Sequence, residues 1–416
     1  MYYLKLIAGT LLGFTTWAVF VFVSAFYGWW MSPIAAPGDS AEFFRKATAI
    51  IEANNPGNTA MMLIQDGKIT GEFYSHLKDA VNENTVFSTS SMSKWFAANA
   101  VMKLVEEDRI NLDDPVERHL SRWQLPTSQF DNSQVTIRRL LSHTAGLNDG
   151  LGFGDYKPGE RLPSLEESLA SPRTSSGDEV SFAVQNLPGD QFTYSGGSYL
   201  ILELLVEEVT GMTFPAYMQT TFFDPLGMTR SGYSFIGEFE NNAGSYDRDG
   251  EPAALYKYAS NAATAFSTST ADLSRFVMAQ LPENQSNAIL SQPTIANMRQ
   301  PHGRTFGADI WGLGTILYAP TDSGDFLFGH DGGNDPAINS TARINPDNGD
   351  AIIVLETGHL SLATNIGSQW VLWQTGIPDV LDSDSVIESI ILPLSIGLLL
   401  ILLASAYAGF RHSRHR

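Results

Sequence analysis

The chain contains no cysteine in 416 residues. That excludes a thiolate nucleophile, a cysteine-ligated metal and any thiol-based redox role. It says little about compartment, because a chain of this length can bury a core that needs no disulfide staple. Positive charge is also scarce: 25 Lys and Arg stand against 45 Asp and Glu, a formal net charge of −20. Such a balance disfavours nucleic acid and anionic lipid headgroups as partners. Outside one glycine-flanked position and the C-terminal tail, the histidines (His76, His119, His143, His302 and His359) are scattered without ligand spacing, so no metal is expected. No cofactor motif, internal repeat or low-complexity tract stands out either.

What is present looks globular: 43% hydrophobic residues, 36 Gly and 20 Pro. Two apolar segments stand apart from the rest. Residues 6–30 carry no charge and exceed the roughly 20 residues that span a bilayer. For residues 1–36 an uncleaved anchor and a cleaved signal peptide both fit. The length of the run favours the anchor, since the apolar region of a signal peptide is usually about 7–15 residues. Residues 389–410, "SIILPLSIGLLLILLASAYAGF", are also free of charge and precede the basic tail "RHSRHR" at 411–416. The positive-inside tendency puts Lys5, Arg411, Arg414 and Arg416 in the cytoplasm, with the long middle facing outward. The expected organisation is an N-terminal anchor or signal segment (1–36), a central domain (37–385), a transmembrane helix (386–410) and a cytoplasmic tail (411–416). The expected location is the cell membrane, with the domain on its periplasmic or extracellular side.

Within the central domain, residues 37–57 read as an opening helix stopped by Pro56-Gly57. "TAMMLIQDGKITGEFYS" reads as two strands around Asp66-Gly67, a hairpin turn pair. From Met92 the apolar spacing becomes helical through Trp95, Ala98, Met102 and Val105. Short helices and Gly/Pro-rich loops fill 117–290, the clearest helix being 199–211, which ends at Gly211. Strand patterns return from 311. Strands at both ends of the domain predict one sheet built from both, with helical material inserted between.

Two Ser-x-x-Lys pairs occur. Ser75–Lys78 follows a strand in a polar stretch, where residues three apart point to opposite faces, and reads as solvated surface. Ser91–Lys94, in "STSSMSKWF", opens the long helix, where residues three apart share a face. A lysine there reaches the serine hydroxyl, and a serine becomes nucleophilic only when a neighbouring base takes its proton. A helix start also favours developing negative charge. Read locally, Ser91 could equally be a plain N-cap.

The segments that follow decide between these readings. "LLSHTAGL" (140–147), "FTYSGGSYLILELLVEEVTG" (192–211), "FSTSTADLSRF" (266–276) and "FGHDGGNDPAINSTARINPDNG" (328–349) come in an order that resembles the serine β-lactamase and penicillin-binding-protein-like hydrolases. The likeness is to the class C β-lactamase group and its esterase and D-amino-acid peptidase relatives, over roughly residues 45–360. It implies an α+β, β-lactamase/transpeptidase-like fold: an antiparallel sheet flanked by helices plus a mainly helical subdomain, here with a transmembrane helix at each end. It also implies that Ser91 is the acylated nucleophile, that Lys94 and Tyr194 handle its proton, and that His330 of "HDGG" takes the place of a lysine. The backbone N–H groups of Ser91 and Gly333 would form the oxyanion hole, and Gly196, Asp331 and Gly332 would line the substrate. His143 matches a family position too and reads as structural.

Two positions depart from the family pattern. Its Asn two residues after the Tyr is Gly196, and the Thr of its third motif is Asp331. Facing the cleft, Asp331 would repel an anionic substrate; pointing away, it would do nothing there. Both changes touch recognition and spare acyl transfer. The expected activity is therefore hydrolysis of a small-molecule or peptide ester or amide, with poor activity on β-lactams. A β-lactamase or D,D-carboxypeptidase is the alternative within the class, and a catalytically silent receptor or scaffold the alternative outside it.

Overall fold

The structure is a computed structural model, and it describes residues 1–147, 149, 155–173, 180, 182–282 and 288–415. Arg416 of the basic tail lies outside the described residues, as do parts of the long loops expected between 117 and 290.

Eight strands form one antiparallel sheet. In chain order they are β1 (Thr59–Gln65), β2 (Lys68–Ser75), β3 (Gly303–Thr305), β4 (Ala308–Trp311), β5 (Ile316–Pro320), β6 (Phe326–Asn334), β7 (Ile338–Asn345) and β8 (Asp350–Thr357). The spatial order is β2-β1-β8-β7-β6-β5-β4-β3, so the first and last strands of the sheet in chain order pair with one another, one strand in from the β2 edge, Met61 opposite Val354. The sheet is thus closed from both ends of the domain, as the strand patterns predict. Asp66 and Gly67 both take positive φ (49° and 67°), the two-residue turn whose twist matches a hairpin.

Helices cover both faces. The principal ones are α1 (Tyr2–Ala25), α2 (Ser40–Asn54), α3 (Ser93–Glu106), α4 (Gly196–Thr210), α5 (Thr270–Ala279), α6 (Leu362–Thr375) and α7 (Ser383–Arg414). Alternation along the strands assigns the faces. Met61, Leu63, Ile352 and Val354 pack with Phe43 and Ile51 of α2 and with Ile366 and Trp370 of α6. Ala60, Met62, Ile353 and Leu355 pack with Trp95 and Phe96 of α3 and the helical material beyond. The side chain of Ser75 ends β2 and Lys78 is exposed, so that pair is surface, as read.

Two boundaries differ from expectation. α4 begins three residues before 199, because Ser195 caps it and its hydroxyl accepts from Ser198 N–H at 2.9 Å. Two glycines in a first turn read as loop, since glycine is a poor helix former. Here Gly197 is required, because a Cβ would sit 2.2 Å from the Phe182 ring. At the other end, α7 runs unbroken from Ser383 to Arg414 through Pro393 and absorbs most of the basic tail.

α1 and α7 are each long and apolar enough to cross a membrane, and both are largely exposed. They pack antiparallel on one another. Trp17 fills a notch at Gly397, where a Cβ would lie 1.8 Å from the indole, and its Nε1 donates to the Pro393 carbonyl at 3.1 Å. Thr10 and Ser405 share a hydrogen bond of 2.7 Å, and Tyr2 OH donates to the Ala408 carbonyl at 3.0 Å. Small residues that admit a neighbouring helix, with polar groups bonded across, are the usual means of helix association in lipid. The cysteine-free chain makes the pairing testable. A Thr10→Cys, Ser405→Cys double variant is expected to form an intramolecular disulfide under mild oxidation, seen as two linked terminal peptides after proteolysis. Absence of the link at full oxidation would contradict the packing.

Candidate active site

Ser91 lies in a single tight turn, Ser90–Met92, that feeds directly into α3. Ser90 takes φ +50°, uncommon for a residue with a side chain, and its surroundings over-determine it. The Thr89 N–H and hydroxyl both donate to the Phe266 carbonyl, at 3.0 and 2.8 Å. The Ser90 hydroxyl donates to the Gly333 carbonyl at 2.9 Å, and Ser340 Oγ donates to the Thr89 carbonyl at 3.0 Å. Gly332 permits this approach, since a Cβ there would stand 1.9 Å from the Thr89 oxygen. The turn is therefore clamped between β6 and the 261–268 segment, with Ser91 left partly exposed.

Lys94, one helical turn on, is 1% exposed. Its Nζ lies 3.2 Å from Ser91 Oγ and donates to the Ala263 carbonyl at 2.9 Å, and both partners are uncharged. The Tyr194 ring faces the amine with its centroid 5.0 Å away, and Tyr199 is at 5.8 Å. Among the described residues no hydrogen bond joins the Tyr194 phenol to Ser91 or Lys94. The contact is amine to ring.

Tyr194 rests on an aromatic shelf. His143 lies 4.4 Å from it, ring to ring, and Trp311 stands edge-on at 5.6 Å. His143 Nδ1 accepts the Ser195 N–H at 3.1 Å, so this ring holds the segment carrying Tyr194 as a hydrogen-bond acceptor. On the other side of Trp311 is His330, at 5.3 Å, fully buried, its Nδ1 bonded to the Asp331 carbonyl at 2.5 Å. Burial, with the Lys94 charge adding to it, pushes the His330 pKa down to about 3 and that of His143 well below the usual range. His330 occupies the expected position without the positive charge that a lysine would bring.

Asp331 is corrected: it does not face substrate. Strand alternation turns its carboxylate to the back of the sheet, where it accepts from Tyr318 OH at 2.9 Å, from Thr341, and from Arg343 at 3.0 Å. Arg343 also pairs with buried Asp379. Gly332 is taken up by the approach to Thr89, while Gly333 is exposed. Gly196 is buried at the first turn of α4 and offers no side-chain contact.

Two carboxylates at this site were not legible as such. Asp149 is buried; it accepts the Ser195 hydroxyl and, at 2.7 Å, the Gly197 N–H, so it fixes the start of α4 and with it Tyr194. In the sequence "NDG" reads only as a turn. Glu203 is 2% exposed on α4 and holds Asn261 and Ala262. A single acid inside the apolar run "YLILELLV" was the available signal, and helix periodicity alone gives it no partner.

A scan of protein-family models matches residues 48–366 to the family described as Beta-lactamase. The chain belongs to the beta-lactamase family. Protein flp of Staphylococcus aureus (strain NCTC 8325 / PS 47) is 25% identical over 328 residues, covering 76% of this chain but only 61% of that protein's length. Among solved structures, an octameric penicillin-binding protein homologue from Pyrococcus abyssi superposes with a TM-score of 0.64 at 24% identity, covering 80% of this chain and 77% of that one. The D-amino acid amidase from Ochrobactrum anthropi SV3, complexed with L-phenylalanine, gives 0.61 at 20% identity, covering 85% and 98%. These likenesses carry the fold: an antiparallel beta-lactamase/transpeptidase-like sheet flanked by helices.

The neutral imidazoles make a direct prediction. In a sample with 15N-labelled histidine, the His143 and His330 ring nitrogens are expected to keep the shifts of the neutral form from pH 8 down to pH 5. Because both groups bind a proton less readily folded than unfolded, they make stability fall as pH drops below about 6.5. A His330 resonance titrating near 6.5 would overturn this account of the pocket.

Proposed function

We propose that the chain is a membrane-anchored serine hydrolase that cleaves an ester, amide or peptide through an acyl-enzyme on Ser91. The observation that carries this is the 3.2 Å contact between Ser91 Oγ and the amine of Lys94, with Lys94 buried and bonded to neutral acceptors only. A base within hydrogen-bond reach of a partly exposed hydroxyl at a helix start is the arrangement that nucleophilic catalysis requires.

In this reading the Ser91 proton passes to Lys94 Nζ as Oγ bonds to the substrate carbonyl carbon, and the carbonyl electron pair moves onto oxygen. The N–H groups of Ser91 and Gly333 receive that oxyanion, a reading supported by the hydrogen bond from the Ser90 hydroxyl to the Gly333 carbonyl, which ties the two segments together. Collapse expels the leaving group, which takes the proton from Lys94 directly or by way of the Tyr194 phenol. Water then repeats the sequence on the acyl-enzyme and regenerates Ser91. α1 and α7 are the anchors. With Lys5, Arg411 and Arg414 at their cytoplasmic ends, the catalytic domain stands on the outer side.

Recognition of a β-lactam carboxylate has little support. His330 carries no charge and Asp331 is committed to Arg343, while Gly196 has no side-chain amide to offer the acylamide. The named activity of the similar amidase fits an ester or amide substrate better.

A fluorophosphonate probe is expected to label Ser91 in the full chain. Ser91→Ala is expected to abolish labelling and turnover with the melting transition unchanged. Lys94→Ala is expected to lower the labelling rate by about 10²–10⁴-fold. A folded protein that leaves Ser91 unlabelled would remove the reading. Hydrolysis of a chromogenic cephalosporin is expected to be at least about 100-fold slower in kcat/KM than that of a simple aryl ester, the order that a missing charged contact supplies; comparable rates would restore the β-lactamase alternative.

A further inference from the structure

Lys94 as a neutral base must aim its lone pair at the Ser91 proton, which requires its N–H groups to be held elsewhere. The Ala263 carbonyl does this at 2.9 Å. That carbonyl belongs to a single irregular turn, Asn261–Ala265, and what fixes the turn is a carboxylate on α4. Glu203 Oε2 accepts the Ala262 N–H at 2.9 Å and Oε1 accepts the Asn261 side-chain amide at 2.7 Å. Both donors come from the two residues just before Ala263, whose oxygen meets Lys94. Burying a carboxylate among leucines is costly, and burial pushes the Glu203 pKa up to about 7. A helix that only packs against its neighbours has no use for such a group.

We propose that Glu203 is a positioning residue for acyl transfer: by gripping Asn261 and Ala262 it sets the Ala263 carbonyl, which in turn orients the Lys94 amine toward Ser91. The inference rests on the acyl-enzyme reading above. Ser260 assists, its hydroxyl accepting the Ala263 N–H at 3.1 Å, and the Phe266 N–H bonds Ser93 Oγ at 2.9 Å, tying the far end of the turn to α3. Neither contact reaches the Ala262 N–H, which is the Glu203 share of the grip.

Glu203→Gln keeps volume and shape but offers one acceptor and one NH2 group to two donors, so one contact becomes a repulsion. The test is inactivation of the full chain in detergent by the fluorophosphonate, resolved into the maximal rate kinact, the half-saturating concentration KI and the fraction of Ser91 finally labelled. The expected result for Glu203→Gln is a fall in kinact of about 10–100-fold, as a displaced reacting group produces, with KI within about twofold and labelling still complete. Asn261→Ala, which leaves the Ala262 contact in place, is expected to lose less of kinact with the same pattern, and it decides the matter if Glu203→Gln does not fold. An unchanged kinact in the folded variant overturns the proposal. So does an unchanged kinact with fewer labelled molecules, the signature of a residue that matters only for folding. A starting protein that leaves Ser91 unlabelled removes the acyl-enzyme reading itself. Labelling of the starting protein with equal kinact in the variants removes only the role of Glu203.

Discussion

The site depends on how closely one strand approaches one turn. β6 can lie against the Thr89 carbonyl only because residue 332 has no side chain. That contact brings the end of β6 beside the turn carrying Ser91, and it supports the positive φ of Ser90, which would otherwise cost free energy. It also sets the face of every neighbouring residue. With Gly332 turned toward the turn, strand alternation puts His330 on the same side and Asp331 on the other. The aromatic shelf under Tyr194 and the ion cluster behind the sheet both follow from that one steric permission.

Much of this was legible in the sequence, and the reasons are local. Asp66-Gly67 states its turn by residue type, and the apolar spacing from Trp95 onward states a helix. Ser91 and Lys94 are linked by the geometry of a single helical turn. What could not be read was which distant groups meet a given buried carboxylate. Asp331 sits one residue from His330, yet its role is set by Arg343 and Asp379, and nothing in "HDGG" reveals them. Asp149 and Glu203 are each one carboxylate in an ordinary stretch, and they acquire meaning only when α4 is docked. Nor does the sequence explain Gly197, whose reason is the ring of Phe182.

Charge is used sparingly inside the domain. Arg343 is 1% exposed and bridges Asp331 and Asp379, while Tyr318 lies under its guanidinium at 3.9 Å. Losing one partner from such a buried cluster typically costs about 3–5 kcal/mol, because it strands an uncompensated charge. Lys94 follows a different rule, bonded to a hydroxyl and a carbonyl. The contrast separates a cation held by two carboxylates from an amine bonded to uncharged groups.

The two terminal helices meet along their length, and the segments leading from them into the domain also touch: Gly28 packs against the Gly376 carbonyl so tightly that a Cβ would fall 2.2 Å from it. The Trp373 indole binds the Ala36 carbonyl at 2.8 Å close by. In the proposed anchored form, with both helices in a membrane, a single proteolytic nick would leave the domain held by the surviving arm, and release would take two cuts.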